Sequence, residues 1–248
     1  MMDTKRKNIL GIPVDTLSMT ECLDFVEAKI QEKSKGNCIL AINPEKIIRL
    51  QTDIVLREYV VNASLLIPDG VGAVLALRYL YGINIERVSG ADLMQNICEQ
   101  APAKGYKIFI YGASEEVNRS AVEKLETRHP GINIVGRSNG YVSENEMKPL
   151  LEKINKSKAE ILFIALGSPK QEKWISDHLH KTNIYICQGI GGTLDTIVGT
   201  VKRAPVIWRK AQAEWLYRLL KQPGRYRRYF TLPVFLKMLV KSRLKNRQ

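Results

Sequence analysis

The 248-residue chain is 45% hydrophobic, which is enough to bury a large core and excludes a disordered protein. Its formal net charge of +13 is concentrated at one end, because residues 201–248 hold 14 Lys or Arg and a single acid, Glu214. Residues 1–200 are neutral overall. A basic segment of this kind binds phosphate, whether on nucleic acid, on anionic lipid or on a substrate.

The composition favours a cytosolic protein without a membrane span. The four cysteines are far apart and lie mainly in apolar segments, which is typical of reduced core thiols. The first residues lack the long apolar region of a signal peptide, so we expect no cleaved leader. No stretch approaches the roughly 18 apolar residues of a transmembrane helix. Membrane contact is therefore expected only at the surface.

The N-terminal part of the chain predicts a short strand with a turn at residues 8–15, and then a helix from about Ser18 to Lys33. A buried strand at 38–42 follows and ends at Asn43-Pro44. Asn43 is a favourable N-cap and Pro44 suits the first helical position, so a helix begins here. Asn43 can cap this helix, contact a ligand, or do both.

The next predicted strand, Leu65 to Ile67, ends at Pro68-Asp69-Gly70. Pro68 cannot donate another ladder hydrogen bond, and Gly70 permits a turn in which a side chain would clash. Asp69 is thus left at the carboxyl end of a strand, the edge at which open α/β sheets bind ligands. The same carboxylate can instead cap the following helix. This stretch alone favours neither interpretation.

Four further strands are predicted at 107–111, 132–136, 161–166 and 184–187, each separated from the next by a helical segment. Such alternation indicates parallel crossover connections. The expected fold is therefore α/β, a Rossmann-like three-layer fold with a mostly parallel sheet. Residues 1–200 are expected to form the α/β catalytic domain, and residues 201–248 a basic, amphipathic helical appendage.

Three of the strands end in glycine before a helix, at Gly112, at Gly167 and in the run from Gly189 to Gly192. Turns of this kind allow backbone N–H groups to approach a phosphate. The sequence has neither a GxGxxG followed by an acid about 20 residues on nor a GxxxxGK[ST] motif. NAD and ATP are therefore not predicted as ligands.

The motifs that the sequence lacks narrow its chemistry further. It has no HExxH, no Cys/His cluster and no D-x-D pair. His129, His178 and His180 are predicted at the surface, and Asp92 is predicted to serve a helix N-terminus. We expect no metal and no other cofactor, and we expect a carboxylate to be the base if the chain is an enzyme.

The C-terminal segment combines apolar runs with cations. A helix with an apolar stripe is predicted around Trp208 to Leu219, and the apolar run Val234 to Val240 follows among further Lys and Arg. That run fits a helix lying in the interface of an anionic membrane. The alternative is a nucleic-acid-binding tail whose Tyr residues stack on bases. Membrane binding is favoured because the run is more apolar than a phosphate-tracking arm needs, so no nucleic-acid partner is expected.

Seven spaced motifs, in order along nearly the whole chain, resemble the WecG/TagA/CpsF family of bacterial glycosyltransferases. They are Asn43-Pro44-Glu45, Pro68-Asp69-Gly70, Arg87 with Gly90-Ala91-Asp92-Leu93, Tyr111-Gly112, Leu166-Gly167-Ser168-Pro169-Lys170-Gln171-Glu172, Gly189 to Gly192 with Asp195, and Arg203-Ala204-Pro205 with Trp215. Together they are far more specific than any one of them. The chain departs from some members at Ala41, where those members have Thr.

The resemblance implies an inverting, metal-independent glycosyltransferase. The family's best-described branch transfers N-acetylmannosamine from UDP-N-acetylmannosamine to undecaprenyl-diphosphate-linked N-acetylglucosamine, in wall teichoic acid linkage-unit synthesis. Other members use other UDP-sugars for capsule, exopolysaccharide or common-antigen synthesis. The implied partners are the UDP-sugar, a polyprenyl-diphosphate-linked acceptor and the inner face of the cell membrane, and the family resemblance suggests a homo-oligomer. A non-catalytic nucleotide-binding protein that docks on membranes is the less favoured alternative.

Carried onto this sequence, the resemblance makes Asp69 the general base that takes the proton of the acceptor hydroxyl. The matched motifs and the glycine turns give the expected substrate-binding residues, which are Asn43, Arg87, Gly112, Gly167, Lys170, Gln171, Gly191 and Gly192. Three arginines of the C-terminal segment, Arg218, Arg225 and Arg228, are implied to complete the pocket at the membrane.

Overall fold

The structure is a computed structural model, and it describes residues 5–201, Pro205, Trp208 and 231–245. Strands and helices alternate after an N-terminal hairpin. In chain order the elements are β1 (Arg6–Ile9), β2 (Ile12–Asp15), α1 (Met19–Gln31), β3 (Asn37–Ile42), α2 (Pro44–Arg49), α3 (Ile54–Val61), β4 (Leu65–Pro68), α4 (Val71–Tyr81), α5 (Gly90–Lys104), β5 (Lys107–Gly112), α6 (Glu115–Arg128), β6 (Asn133–Ser138), α7 (Glu144–Lys156), β7 (Ile161–Ala165), α8 (Lys170–His178), a 3-10 helix (Leu179–Lys181), β8 (Ile186–Gly189), α9 (Thr193–Val198) and α10 (Thr231–Lys245).

Six strands form one sheet in the order β4-β3-β8-β7-β5-β6, and every neighbouring pair is parallel. All six carboxyl ends therefore lie at one edge of the sheet. The strands β1 and β2 pair with each other as an antiparallel hairpin outside it. The parallel sheet confirms the predicted Rossmann-like α/β fold.

Side chains of the sheet alternate between two cores, one on each face. On β7, Leu162 and Ile164 belong to one core, and Ile161 and Phe163 to the other. The hairpin and helices α2, α3, α4, α7, α8 and α10 complete the first core, whereas α1, α5, α6 and α9 complete the second. Both faces of the sheet are covered, which gives the predicted three layers.

The four cysteines are free and buried, which confirms their prediction as core residues. Burial raises the pKa of Cys22, Cys38 and Cys98, each to about 12. The pKa of Cys187 is also raised, first by burial and then by the neighbouring Cys38. The thiols are therefore protonated at neutral pH and poorly reactive.

The prediction of surface histidines is correct for His180 but wrong for His129 and His178, which are half-buried. The ring of His178 lies 5.4 Å from that of Trp174, centroid to centroid. His178 follows Trp174 by one helical turn and so shares its inward face. Burial lowers the pKa of His178, because a partly buried environment disfavours the charged imidazolium.

Helix α10 packs against the body of the protein through Phe235 and Leu239. These residues are one turn apart and only 1% and 3% exposed, in the core beneath α2 and α4. The predicted helix is confirmed, but these two apolar side chains lie in the core and not, as predicted, at a membrane. Among the described residues, every helix falls short of the length and apolar character that crossing a bilayer requires. The exposed residues of α10 include Val234, Leu236, Lys237, Val240, Lys241 and Leu244.

Candidate active site

The connections that leave the sheet diverge at the edge where the strands end, at the carboxyl end of β8. The chain leaves β3 and β7 toward the face covered by α2 and α8. It leaves β8, which lies between those strands, toward the opposite face, which α9 covers. In open α/β sheets ligands bind where connections diverge in this way. We refer to the space outside the carboxyl end of β8, between these diverging connections, as the crevice, and it is the candidate active site.

Asn43 and Asp69 lie next to each other at this edge. Strands β3 and β4 pair in register as far as Ile42 and Pro68, and the Asp69 N–H donates to the Ile42 carbonyl at 2.8 Å. Asn43 and Asp69 are therefore each the first residue beyond the ends of adjacent strands. The structure brings the predicted base together with one of the predicted substrate-binding residues.

Two glycines allow the turns after β3 and β4 to lie in close contact. Gly70 is the N-cap of α4 and has a φ of +84°, a conformation that strains other residues. At Gly72, a Cβ would lie 2.4 Å from Pro44 Cγ, so a side chain there would force α4 away from α2. Because Gly70 is the N-cap, Asp69 lies one residue before the cap position. The half-buried Asp69 thus follows the strand directly.

Asn43 caps α2, as the sequence predicted. Its Oδ1 accepts a hydrogen bond from the Lys46 N–H at 2.8 Å. The capping bond uses only the carbonyl oxygen of the side chain. The two N–H donors of the amide are therefore compatible with a ligand contact, which stays a prediction.

Gln171 connects α8 to the glycine turn after β8. Its buried side chain accepts a hydrogen bond from the Gly191 N–H through Oε1 at 3.1 Å. The packing is close, since a Cβ on Gly189 would lie 2.7 Å from Gln171 Nε2. Strands β8 and β4 flank β3, so this turn is on the order of 10 Å from the Asp69 turn. Gln171 shapes a turn of the crevice, and exposed Gly192 follows in that turn.

A buried ion pair joins α2 to α8 beside the crevice, and sequence reasoning missed it. Lys46 Nζ lies 2.7 Å from Glu172 Oε1, and the two side chains are 9% and 0% exposed. The same oxygen is 3.4 Å from Gln171 Nε2, whereas Glu172 Oε2 is buried and has no hydrogen-bond partner within the part of the chain that the structure describes.

Arg87 and the start of α5 lie on the other face of the sheet. Ser89 caps α5: its Oγ accepts from the Asp92 N–H at 3.1 Å and donates to the Asp92 carboxylate at 2.6 Å. Arg87 Nη2 is 3.5 Å from Asp92 Oδ2, so the structural role predicted for Asp92 is confirmed. Gln188 of β8 donates to the Gly90 carbonyl at 2.7 Å. Helix α5 therefore begins beside the crevice.

The remaining predicted residues are spread along the same edge. Gly112 ends β5, four strand positions from β4 and so roughly 19 Å from the Asp69 turn. A Cβ on Gly112 would lie 2.5 Å from the Ala165 backbone, so close packing of β5 on β7 accounts for this glycine. Gly167 precedes α8, and Lys170 is the exposed first residue of that helix. Their contacts with substrate stay predictions.

Part of the predicted site lies outside the described residues, namely Arg218, Arg225 and Arg228. Within the part of the chain that the structure describes, no three His, Cys, Asp or Glu side chains are grouped in a way that suits a metal ion. The described part of the site therefore consists of Asp69, the amide and guanidinium donors, and the glycine turns.

Comparison with known proteins identifies the family. Residues 7–248 match the family model of the WecG/TagA/CpsF glycosyl transferases. The chain belongs to the WecG/TagA/CpsF family. It is similar to N-acetylglucosaminyldiphosphoundecaprenol N-acetyl-beta-D-mannosaminyltransferase of Bacillus spizizenii, with 32% identity over 240 residues, covering 97% of this chain and 92% of that protein. The resemblance inferred from the motifs is confirmed, and the chain is a glycosyltransferase.

In this WecG/TagA/CpsF glycosyltransferase, the crevice combines one carboxylate with several hydrogen-bond donors. Asp69 offers a base, whereas the amide of Asn43 and the guanidinium of Arg87 are donors suited to sugar hydroxyls and phosphate oxygens. Helices α4, α5 and α8 begin at this edge and direct the positive ends of their dipoles toward it. A base beside anion-stabilising donors is the combination that transfer from a sugar diphosphate needs.

Proposed function

We propose that the chain transfers N-acetylmannosamine from UDP-N-acetylmannosamine to N-acetylglucosaminyldiphosphoundecaprenol, in wall teichoic acid linkage-unit synthesis. The main support is the named activity of the Bacillus spizizenii relative, which matches 97% of this chain. The carboxylate of Asp69 at the mouth of the crevice supports it independently, because a base is the group that activates an acceptor hydroxyl.

Asp69 acts as the general base in a single displacement. The acceptor hydroxyl oxygen attacks the anomeric carbon of the donor, and its proton passes to the Asp69 carboxylate. The bond between the anomeric carbon and the diphosphate oxygen breaks with its electron pair on that oxygen, and UDP leaves with inversion at the anomeric carbon. A base positioned in this way contributes about 10² to 10⁴-fold to the rate.

Protein donors stabilise the departing UDP. Arg87 lies at the start of α5 with its guanidinium largely buried, an environment in which a charge-assisted hydrogen bond to phosphate is strong. The turn from Gly189 to Gly192 lies at the end of β8. Two of its N–H groups already donate within the protein, that of Ile190 to the Ile164 carbonyl at 2.8 Å and that of Gly191 to Gln171 Oε1 at 3.1 Å, so the N–H of Gly192 is the donor of this turn that we assign to the diphosphate. We assign the diphosphate to the space between the Arg87 guanidinium and this N–H, with no metal ion required.

The reaction takes place at the inner face of the cell membrane, because the undecaprenyl chain of the acceptor is embedded in lipid. An apolar surface supports this location. Helices α3, α4 and α10 carry nearly all exposed large apolar side chains of the described residues, with Tyr141 as the exception. They are Ile54, Val55, Leu75, Tyr79, Tyr81, Val234, Leu236, Val240 and Leu244. Helix α4 begins directly after the Asp69 turn and packs against α10, so the exposed apolar side chains of these two helices lie on the Asp69 side of the crevice, and Lys237 and Lys241 suit anionic headgroups.

A transfer assay with the full chain tests the proposal. UDP-N-acetylmannosamine, UDP-N-acetylglucosamine, UDP-glucose and UDP-N-acetylmannosaminuronic acid are each supplied with a short-chain prenyl-diphosphate-linked N-acetylglucosamine, and UDP release and product mass are measured. We expect the highest kcat/KM with UDP-N-acetylmannosamine and no loss of turnover in EDTA. A higher kcat/KM with another donor would contradict the donor assignment. UDP binding without turnover on any donor would favour the non-catalytic alternative.

The location has its own test. We expect the full chain to float with vesicles containing phosphatidylglycerol at low salt and to leave a DNA duplex unshifted in a gel. A steeply salt-dependent gel shift without flotation would contradict membrane docking. The predicted self-association is measured in the same preparation by sedimentation with and without vesicles.

A further inference from the structure

Stability alone does not explain the buried pair of Lys46 and Glu172. Removing two charges from water costs more free energy than their attraction commonly returns, and apolar side chains of similar size are often as stable in the same place. The pair therefore calls for a role besides folding.

The pair connects the two helices that flank the crevice. Lys46 follows Asn43 by three residues, and its own N–H is the one that the Asn43 side chain caps at 2.8 Å. Glu172 follows Gln171, whose Oε1 accepts from the Gly191 N–H at 3.1 Å. A single contact of 2.7 Å between the two charges thus ties α2, which begins at the Asn43 turn, to α8, whose Gln171 contacts the Gly191 turn.

Glu172 also sets the orientation of the Gln171 amide. Gln171 Nε2 faces Glu172 Oε1 at 3.4 Å, which leaves Gln171 Oε1 toward the Gly191 N–H. Among the described residues, Lys46 makes the one short contact to the Glu172 carboxylate, since Oε1 binds Lys46 Nζ and Oε2 has no hydrogen-bond partner. Of the contacts that the described residues make to this carboxylate, only the long one to Gln171 would remain without Lys46. The Gln171 amide and the glycine turn would then lose their fixed position.

We propose that Lys46 and Glu172 are positioning residues for sugar transfer, and that their ion pair holds the Gln171 amide and the Gly191 turn in place relative to Asn43 and Asp69. Both charged side chains are buried, so they act through Gln171 and not by touching substrate. The inference rests on the proposed function. In active sites a displacement of about 1 Å costs on the order of 10²-fold in rate.

The test replaces the pair by apolar side chains of similar length, in Lys46→Met, Glu172→Met and the double variant. Each single variant leaves one buried charge uncompensated and is expected to melt lower, whereas the double variant is expected to melt near the wild type. We nevertheless expect kcat of the double variant to fall about 10- to 100-fold, with KM for the UDP-sugar changed by less than about threefold. Hydrogen exchange of the Gly191 amide is expected to be faster.

Lys173→Met is the matched control on the same helix. Lys173 Nζ is 2.7 Å from Asp177 Oδ2, but the pair is exposed, at 68% and 35% of the two side chains. We expect neither kcat nor Gly191 exchange to change in this variant. An effect equal to that of the double variant would show that any charge change in α8 disturbs the site, and would overturn the specific role of the buried pair.

A double variant with wild-type kcat and wild-type exchange at Gly191 would also overturn the proposal. If the double variant fails to fold, the isosteric Glu172→Gln takes its place, with an expected loss in kcat of about 10-fold. Unchanged kcat in Glu172→Gln would also overturn the proposal. Failure of the proposed function can be distinguished from failure of this inference, because the wild type itself would then show no transfer. Hydrogen exchange of the Gly191 amide would still test the positioning role, since it needs no substrate.

Discussion

The backbone N–H of Asp69 donates to the carbonyl of Ile42 at 2.8 Å, which fixes the predicted base beside the end of β3 and thus next to Asn43. This bond belongs to the main chain and continues the pairing of β3 with β4. A substitution of the Asp69 side chain therefore leaves this main-chain bond in place.

Asp69→Asn is expected to lower kcat by about 10² to 10⁴-fold, because an amide cannot accept the proton of the acceptor hydroxyl. The variant is isosteric, so we expect an unchanged melting temperature and unchanged UDP binding. Transfer is measured as UDP release in the presence of the prenyl-diphosphate acceptor. Asp24→Asn, at an exposed position of α1, is the control. Near-normal turnover in Asp69→Asn would remove this residue from the role of base.

Gly72→Ala is expected to separate the Asp69 turn from the Asn43 turn. The added Cβ would lie 2.4 Å from Pro44 Cγ, and such overpacking costs about 1 to 3 kcal/mol of unfolding free energy. Transfer should fall as well, because both predicted site residues adjoin this contact. Denaturant unfolding and kcat are measured beside Leu75→Ala, an exposed position of the same helix. Wild-type stability together with wild-type kcat would show that the contact of α4 with α2 is not needed.

The strand ends were predictable from sequence, but the strand order was not. Asn43-Pro44 and Pro68-Asp69-Gly70 each follow an apolar run, so the signal for a strand end lies within a few residues. That β3 lies between β4 and β8 depends on contacts between distant segments, which hydrophobic periodicity does not encode. The ion pair of Lys46 and Glu172 joins residues 126 positions apart, so hydrophobic periodicity does not predict it either.

The sequence also did not predict which face of α10 packs on the core. Phe235 and Leu236 are adjacent and both apolar, and the run around them predicts a helix without stating which side is covered. The structure buries Phe235 in the core beneath α2 and α4 and leaves Leu236 59% exposed. Only the packing partners distinguish a core residue from a membrane-facing one.

These neighbours give a matched pair of variants. Phe235→Ala is expected to destabilise the protein by up to about 3 to 5 kcal/mol, whereas Leu236→Ala should change stability by less than about 0.5 kcal/mol. The reverse order is expected for binding to anionic vesicles, since an exposed apolar side chain is the one that lipid can bury. Chemical unfolding and vesicle flotation are compared for both variants. Equal effects of the two variants in either measurement would contradict the docked orientation of α10.

The cysteines give a test of the core that needs no substrate. Burial raises the pKa of Cys22, Cys38 and Cys98 to about 12, so at a pH of about 8 roughly one thiol in 10⁴ is ionised. A raised pKa favours the protonated thiol, and because the thiolate is the reactive species, we expect negligible reaction with an aromatic disulfide reagent in the native state. Unfolding in denaturant should expose all four thiols, each with its ordinary pKa. Rapid labelling of the native protein at mildly alkaline pH would show that at least one of these residues lies outside the packed core.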